Sequence, residues 1–143
     1  MFLDIAKKKK DSLAIVDCEG NRITYGELVE IMENAGSMAE PRSVIFNLCK
    51  NTAGSLAGYL GFVNAGAVPV MLNSKVDKDL LKDLMEVYTP AYIWTPEEDA
   101  EDFGMEKVYG MLGYALLRTG NEIYPLNEDL ELCMTTSGST GSP

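Results

Sequence analysis

The sequence predicts an α/β domain, a largely parallel sheet with flanking helices and an N-terminal hairpin. Three observations carry this. Between residues 43 and 94 short apolar runs alternate with helical stretches, the order that builds right-handed βαβ crossovers. Those runs are continuous and do not alternate apolar with polar, as expected of strands buried on both faces. The chain has 143 residues, 46% of them apolar and 24% charged, which is globular composition on the scale of one domain, here 1–143.

The elements follow in order. Residues 2–9 read as a short helix. Leu13–Asp17, the turn Glu19–Asn21 and the returning run Arg22–Thr24 form a hairpin. Thr24 is placed to cap a helix, with Glu27 three residues on in the capping-box pattern. That helix runs to about Ala39 with Leu28, Ile31, Met32 and Ala35 on one face, and Pro41 follows its end. Ser43–Asn47 is a strand, and Thr52–Asn64 a helix stopped near Gly66. Val68–Leu72 is the next strand. Asp77–Tyr88 is an amphipathic helix with Leu80, Leu81, Leu84 and Val87 directed inward, ended by Pro90. Ala91–Trp94 is a strand, and residues 96–112 read as loop with a weak helix. Tyr114–Arg118, the turn Thr119–Asn121 and Glu122–Tyr124 suggest a second hairpin, and Glu131–Thr135 a last strand.

Charge and composition narrow the function. Twenty-two acidic residues against 12 basic give a net charge of −10, which argues against nucleic acid as a partner. Histidine is absent, so the chain holds no Ser–His or Cys–His nucleophile pair and no histidine metal site. The three cysteines, Cys18, Cys49 and Cys133, are odd in number and fit no metal or redox spacing. Free thiols in a reducing, cytoplasmic setting are the simple reading. The opening MFLDIAKKKK lacks the order of a signal peptide, and Lys7–Lys10 reads as a solvated helix end. Asn51–Ser74 carries no charge, and Gly54-Ser-Leu-Ala-Gly58 has the small-residue spacing of membrane dimers. Its glycines, Pro69 and asparagines dilute its hydrophobicity, so a buried helix and strand are expected, not a membrane span.

Chemistry concentrates at the C-terminus. After the last strand come Thr136, Ser137, Gly138, Ser139, Thr140, Gly141, Ser142 and Pro143. Two glycines let backbone approach a ligand, successive N–H groups can form an anion nest, and five hydroxyls in seven residues add donors without charge. The segment reads either as a polyphosphate cradle or as a flexible Gly/Ser tail. It has neither the Walker-type loop with its Lys nor the dinucleotide fingerprint.

The order of those residues resembles the phosphate-binding signature of the adenylate-forming ligases: acyl-CoA synthetases, carrier-protein-loading adenylation domains and luciferases. Residues 14–28 (AIVDCEGNRITYGEL) are similar to the family's opening hairpin and helix start, and Leu60–Val70 to its Gly- and Pro-containing segment. Pro90–Ile93 stands where the family has a Pro and a short strand. Position 135 is Thr where relatives often carry an aromatic residue, and Cys133 replaces an aliphatic one.

The resemblance implies the first subdomain of a ligase that activates a carboxylic acid with ATP and magnesium. The acyl group would pass through an acyl-adenylate to a thiol, CoA or carrier-protein pantetheine. It implies phosphate contacts at Thr136, Ser137, Gly138, Ser139, Thr140 and Gly141, with Thr136, Ser139 and Thr140 giving hydroxyls and the glycines the conformation. The family's signature ends in Lys or Arg after the Pro, and several hundred residues follow. An N-terminal fragment is therefore expected, inactive alone, with no catalytic or metal residue of its own and with apolar surface for self-association. The other reading is a small stand-alone α/β module that binds phosphate or protein without catalysis.

Further residues read as structural. Asp17 is a turn residue more readily than a phosphoacceptor. Glu97–Asp102 is a solvated acidic loop more readily than a cation site, lacking the ligand spacing. Trp94, Tyr59 and Tyr88 are expected in the core.

Overall fold

The computed structural model describes residues 4–135. Two short strands, β1 (Leu13–Val16) and β2 (Arg22–Thr24), pair antiparallel. Helix α1 (Tyr25–Ser37) follows directly. Thr24 Oγ1 accepts from the Glu27 N–H, and the Glu27 carboxylate accepts from the Thr24 N–H at 2.8 Å, closing the capping box. Strand β3 (Val44–Cys49), helix α2 (Ala53–Asn64), strand β4 (Val68–Asn73), helix α3 (Lys78–Tyr88) and strand β5 (Tyr92–Pro96) give the βαβαβ core. Then come a 3-10 helix (Glu97–Phe103), β6 (Glu106–Met111), β7 (Tyr114–Arg118) and β8 (Cys133–Met134). The six-stranded sheet has the order β6-β7-β5-β3-β4-β8. Strands β5, β3, β4 and β8 run parallel, and β7 and β6 extend the sheet antiparallel.

The two faces of the sheet are covered differently. On one, α2 lies against Ile45 and Trp94, with Phe62, Tyr114 and Leu116 in the same cluster. Helix α1 and the hairpin pack outside α2 through Ile23, Leu28, Met32, Ala53, Ala57 and Leu60. On the other face Phe46, Leu48, Val70, Leu72, Ile93 and Leu117 meet α3 through Leu84. Phe103 of the 3-10 helix packs there as well. Helix α2 is apolar nearly all round because it is sandwiched between the sheet and α1. The Gly54–Gly58 spacing therefore serves packing inside the domain. No helix among the described residues is long and apolar enough to cross a membrane.

Several elements differ from expectation, each for a physical reason. At the N-terminus the described helix is a single 3-10 turn, Ile5–Lys7. Only Ile5 of it is buried, and consecutive lysines give nothing to pack. In α3 only Leu84 is buried; Leu80 is 37% and Val87 74% exposed. One row of the stripe reaches the sheet, and the rest stays open. Residues 106–111 are a strand where a loop was expected. Its hairpin with β7 turns on Leu112 and Gly113, both at positive φ (48° and 75°), the conformation of two-residue hairpin loops that follow strand twist. The expected return strand Glu122–Tyr124 is not a strand. There the Thr119 hydroxyl and the Asn121 amide both donate to the Pro90 carbonyl and lead the chain off the sheet. Tyr88 is 44% exposed, its ring edge toward Phe46 at 6.4 Å.

Candidate functional site: the carboxyl edge of the parallel strands

Open α/β sheets bind ligands outside the carboxyl ends of their parallel strands. Here that edge gathers the ends of β3, β4 and β8. Strand β8 joins β4 in the register Val70–Cys133 and Met71–Met134. The Thr135 hydroxyl donates to the Met71 carbonyl at 3.2 Å, which holds the end of β8 beside β4. Thr136, Ser137, Gly138, Ser139, Thr140 and Gly141 themselves lie outside the described residues.

The approach to β8 is held by Arg42, which no feature of the sequence singled out. Its guanidinium donates to the Leu130 carbonyl at 2.9 Å and the Asn127 carbonyl at 2.6 Å. Arg42 sits at φ 60° between Pro41 and β3. An Arg in such a loop is indistinguishable, from sequence, from ordinary surface charge.

Asp17 does more than shape its turn. One carboxylate oxygen accepts from the Glu19 and Asn21 N–H groups at 3.0 and 2.9 Å. The other accepts from the Asn21 side chain at 2.9 Å and from the Ala53 N–H at 2.8 Å. The last bond crosses from the hairpin to the first turn of α2 and supplies the carboxylate cap its orphan donors favour. These donors, the Ala53 N–H foremost, lower the Asp17 pKa to about 2. A depressed carboxyl contributes stability that is full above its unfolded pKa and lost as pH falls through the folded one. Wild-type stability should therefore decline between about pH 4 and pH 2. We expect Asp17→Asn to remove that part of the slope while leaving the curve above pH 5 flat. Thermal melts of both proteins from pH 6 to pH 2 check this; parallel curves over the whole range would contradict it.

Beside this cap is a cavity of about 330 Å³ bounded by β1, β4, α2 and the β3–α2 loop, including Val16, Cys49, Thr52, Ser55, Tyr59 and Met71. At its rim Lys50 is ion-paired with Glu98 of the 3-10 helix, and that carboxylate raises the lysine's pKa. Burial pushes the Cys49 thiol up, away from the thiolate a nucleophile needs. Cys18 is exposed, Cys133 is half-buried, and all three thiols are free.

The remaining residues find structural surroundings. Glu97 pairs with Lys107 at 2.7 Å and Glu98 with Lys50. Among the described residues no three His, Cys, Asp or Glu side chains come together as a metal site. Trp94 is fully buried, its Nε1–H donating to the Gly54 carbonyl at 3.2 Å. Tyr59 is half-buried at the cavity wall.

A mostly parallel sheet, an N-terminal hairpin leading into α1, and a final parallel strand beside β4 define the class. This is the fold of the N-terminal subdomain of adenylate-forming ligases. The N-terminal subdomain of NpsA from Klebsiella oxytoca superposes with a TM-score of 0.66 over 96% of this chain and 38% of that one, at 19% identity. ATP-bound MatB from Rhodopseudomonas palustris gives 0.54 over 62% of this chain and 19% of its own, at 23% identity. The fatty acyl-adenylate ligase from L. pneumophila, in complex with acyl adenylate and pyrophosphate, gives 0.52 over 64% and 18%, at 16% identity. The chain thus spans about a fifth of the latter two proteins. No protein-family profile and no curated protein sequence matches it.

Proposed function

We propose that this chain is the N-terminal subdomain, residues 1–143, of a ligase that activates a carboxylic acid with ATP. A carboxylate is a poor electrophile, and joining it to AMP supplies a good leaving group. The acyl-adenylate would then yield its acyl group to a thiol, CoA or a pantetheine arm. The observation that carries the reading is the delivery of Thr135 to the carboxyl edge beside Met71. The signature segment follows it in the sequence, and in this reading it would begin where an open parallel sheet receives ligands. MatB was solved with ATP and the L. pneumophila ligase with acyl adenylate and pyrophosphate, which supports the same chemistry here.

In this reading Thr136, Ser139 and Thr140 present hydroxyls to the departing pyrophosphate, backbone N–H groups of Ser137 and its neighbours add donors, and Gly138 and Gly141 allow the loop's turn. Donors fixed before the charge develops stabilise the transition state without reorganising. Magnesium would be held on the ATP phosphates. The 143-residue chain alone should not turn over, because it offers donors to the phosphates and no assigned group for the carboxylate. ATP–pyrophosphate exchange by the parent ligase tests the proposal. Ser139→Ala and Thr140→Ala should each lower exchange by about 100-fold, the scale of losing one transition-state donor. Exchange equal to wild type in both variants would overturn the assignment.

A further inference from the structure

A second cavity, of about 710 Å³, opens on the α3 face of the sheet, between that helix and the 3-10 helix Glu97–Phe103. Its apolar lining is Leu48 of β3 with Val76, Leu81, Met85 and Phe103. All five belong to the cluster on this face, yet only Leu48 is buried; the other four are partly open. Of α3 only Leu84 is buried, so the helix leaves apolar surface beside it without cover. The size and the apolar lining are those of a small-molecule site.

The charged groups on the lining are divided between the two helices. Helix α3 supplies Lys78 and Lys82, one turn apart, with Glu86 a turn further on; the 3-10 helix supplies Asp99 and Asp102. Among the described residues neither of these lysines and neither aspartate is ion-paired. Lys50 lies within reach of the Asp99 charge, but its ammonium is paired with Glu98. The cavity thus offers two ammonium groups from one helix, two carboxylates from the other, and an apolar floor, and the unlike charges do not bridge it.

We propose that this cavity binds a small zwitterion with an apolar body, of the aminocarboxylate class. Its carboxylate faces Lys78 and Lys82, its ammonium Asp99 and Asp102, and its hydrocarbon part covers Leu81, Met85 and Phe103. Burial of that hydrocarbon supplies most of the affinity. The exposed charges add little attraction each, but they select the sign pattern, because like charges brought together count against a wrong ligand. A molecule with a carboxylate alone would bring negative charge toward Asp99, Asp102 and Glu86. One with an ammonium alone would bring positive charge toward the two lysines. A neutral apolar molecule would use the floor and neither set of charges. The inference does not depend on the ligase reading.

The probes are 8-aminooctanoate and its isomer 2-aminooctanoate, with octanoate, which lacks the ammonium, and heptylammonium, which lacks the carboxylate. Backbone amide resonances of the isotopically labelled chain are followed during titration with each. At least one zwitterion should shift Leu81, Met85 and Phe103 saturably, with a Kd at least about threefold below those of octanoate and heptylammonium, the scale of exposed ion pairs. The tighter isomer tells whether the ligand carries its charges at two ends or on one carbon. Asp99→Asn with Asp102→Asn should abolish the preference over octanoate. Lys78→Gln with Lys82→Gln should abolish the preference over heptylammonium. All four side chains are at the surface or half-buried, so both double variants should fold. No saturable shift with either zwitterion, a singly charged probe that binds as tightly as the better zwitterion, or preferences unchanged in the double variants would each overturn the proposal.

Discussion

Gly58→Ala should destabilise the domain strongly. A Cβ at position 58 would lie 2.3 Å from Trp94 Nε1 and 2.4 Å from Trp94 Cε2. The indole has nowhere to go. It is fully buried, hydrogen-bonded to the Gly54 carbonyl, stacked on Tyr114 at 5.2 Å and edge-on to Phe62 at 5.4 Å. Alanine would add about 1 kcal/mol of helix propensity, but overpacking of a rigid core costs about 1–3 kcal/mol and occasionally more. An overlap this close with a ring that cannot move lies above that range, at about 4 kcal/mol, so we expect a net loss of about 3 kcal/mol, which for a chain of this length lowers the melting temperature by about 10 °C. Calorimetry of the variant decides it. An unchanged melting temperature would mean that α2 does not sit on Trp94 as described.

The second large effect lies on the same helix, where it meets α1. A Cβ at Gly61 would meet the Met32 carbonyl oxygen at 2.7 Å, and one at Gly36 the Gly61 carbonyl oxygen at 2.7 Å and Ala65 Cβ at 2.9 Å. The obstacles are mainly backbone, so α1 and α2 can only move apart. Each of Gly36→Ala and Gly61→Ala should cost about 2 kcal/mol, within the range of overpacked interiors. Both demand the same separation of the helices, so the double variant should cost clearly less than the sum. Urea unfolding of the three variants measures this. Strict additivity would show that the two glycines do not share one contact.

These glycines show how much of the fold could be seen in advance. The alternating order of strands and helices, the hairpin and the capping box at Thr24 and Glu27 were all legible, because period and caps are local signals. Strand β6 was not, since its hairpin turns on Leu112, a residue type that gives no turn signal. The outward Leu80 and Val87 of α3 were misread because amphipathic spacing says which residues share a face, not how far that face reaches the sheet. At the candidate site the signature Thr136–Gly141 stood out in the sequence, but its neighbours did not. Asp17 was legible as a turn residue; its bond to Ala53, 36 positions away, depends on tertiary packing. Arg42 likewise acquires meaning only from residues distant in the chain.

In the proposed function the carboxyl edge of this sheet presents a phosphate-holding loop for acid activation. ATP–pyrophosphate exchange by the parent ligase, with a panel of carboxylic acids, tests it most directly. Exchange should depend on one class of acid and vanish when acid is omitted. Exchange with none of the acids, or exchange indifferent to the acid, would contradict it.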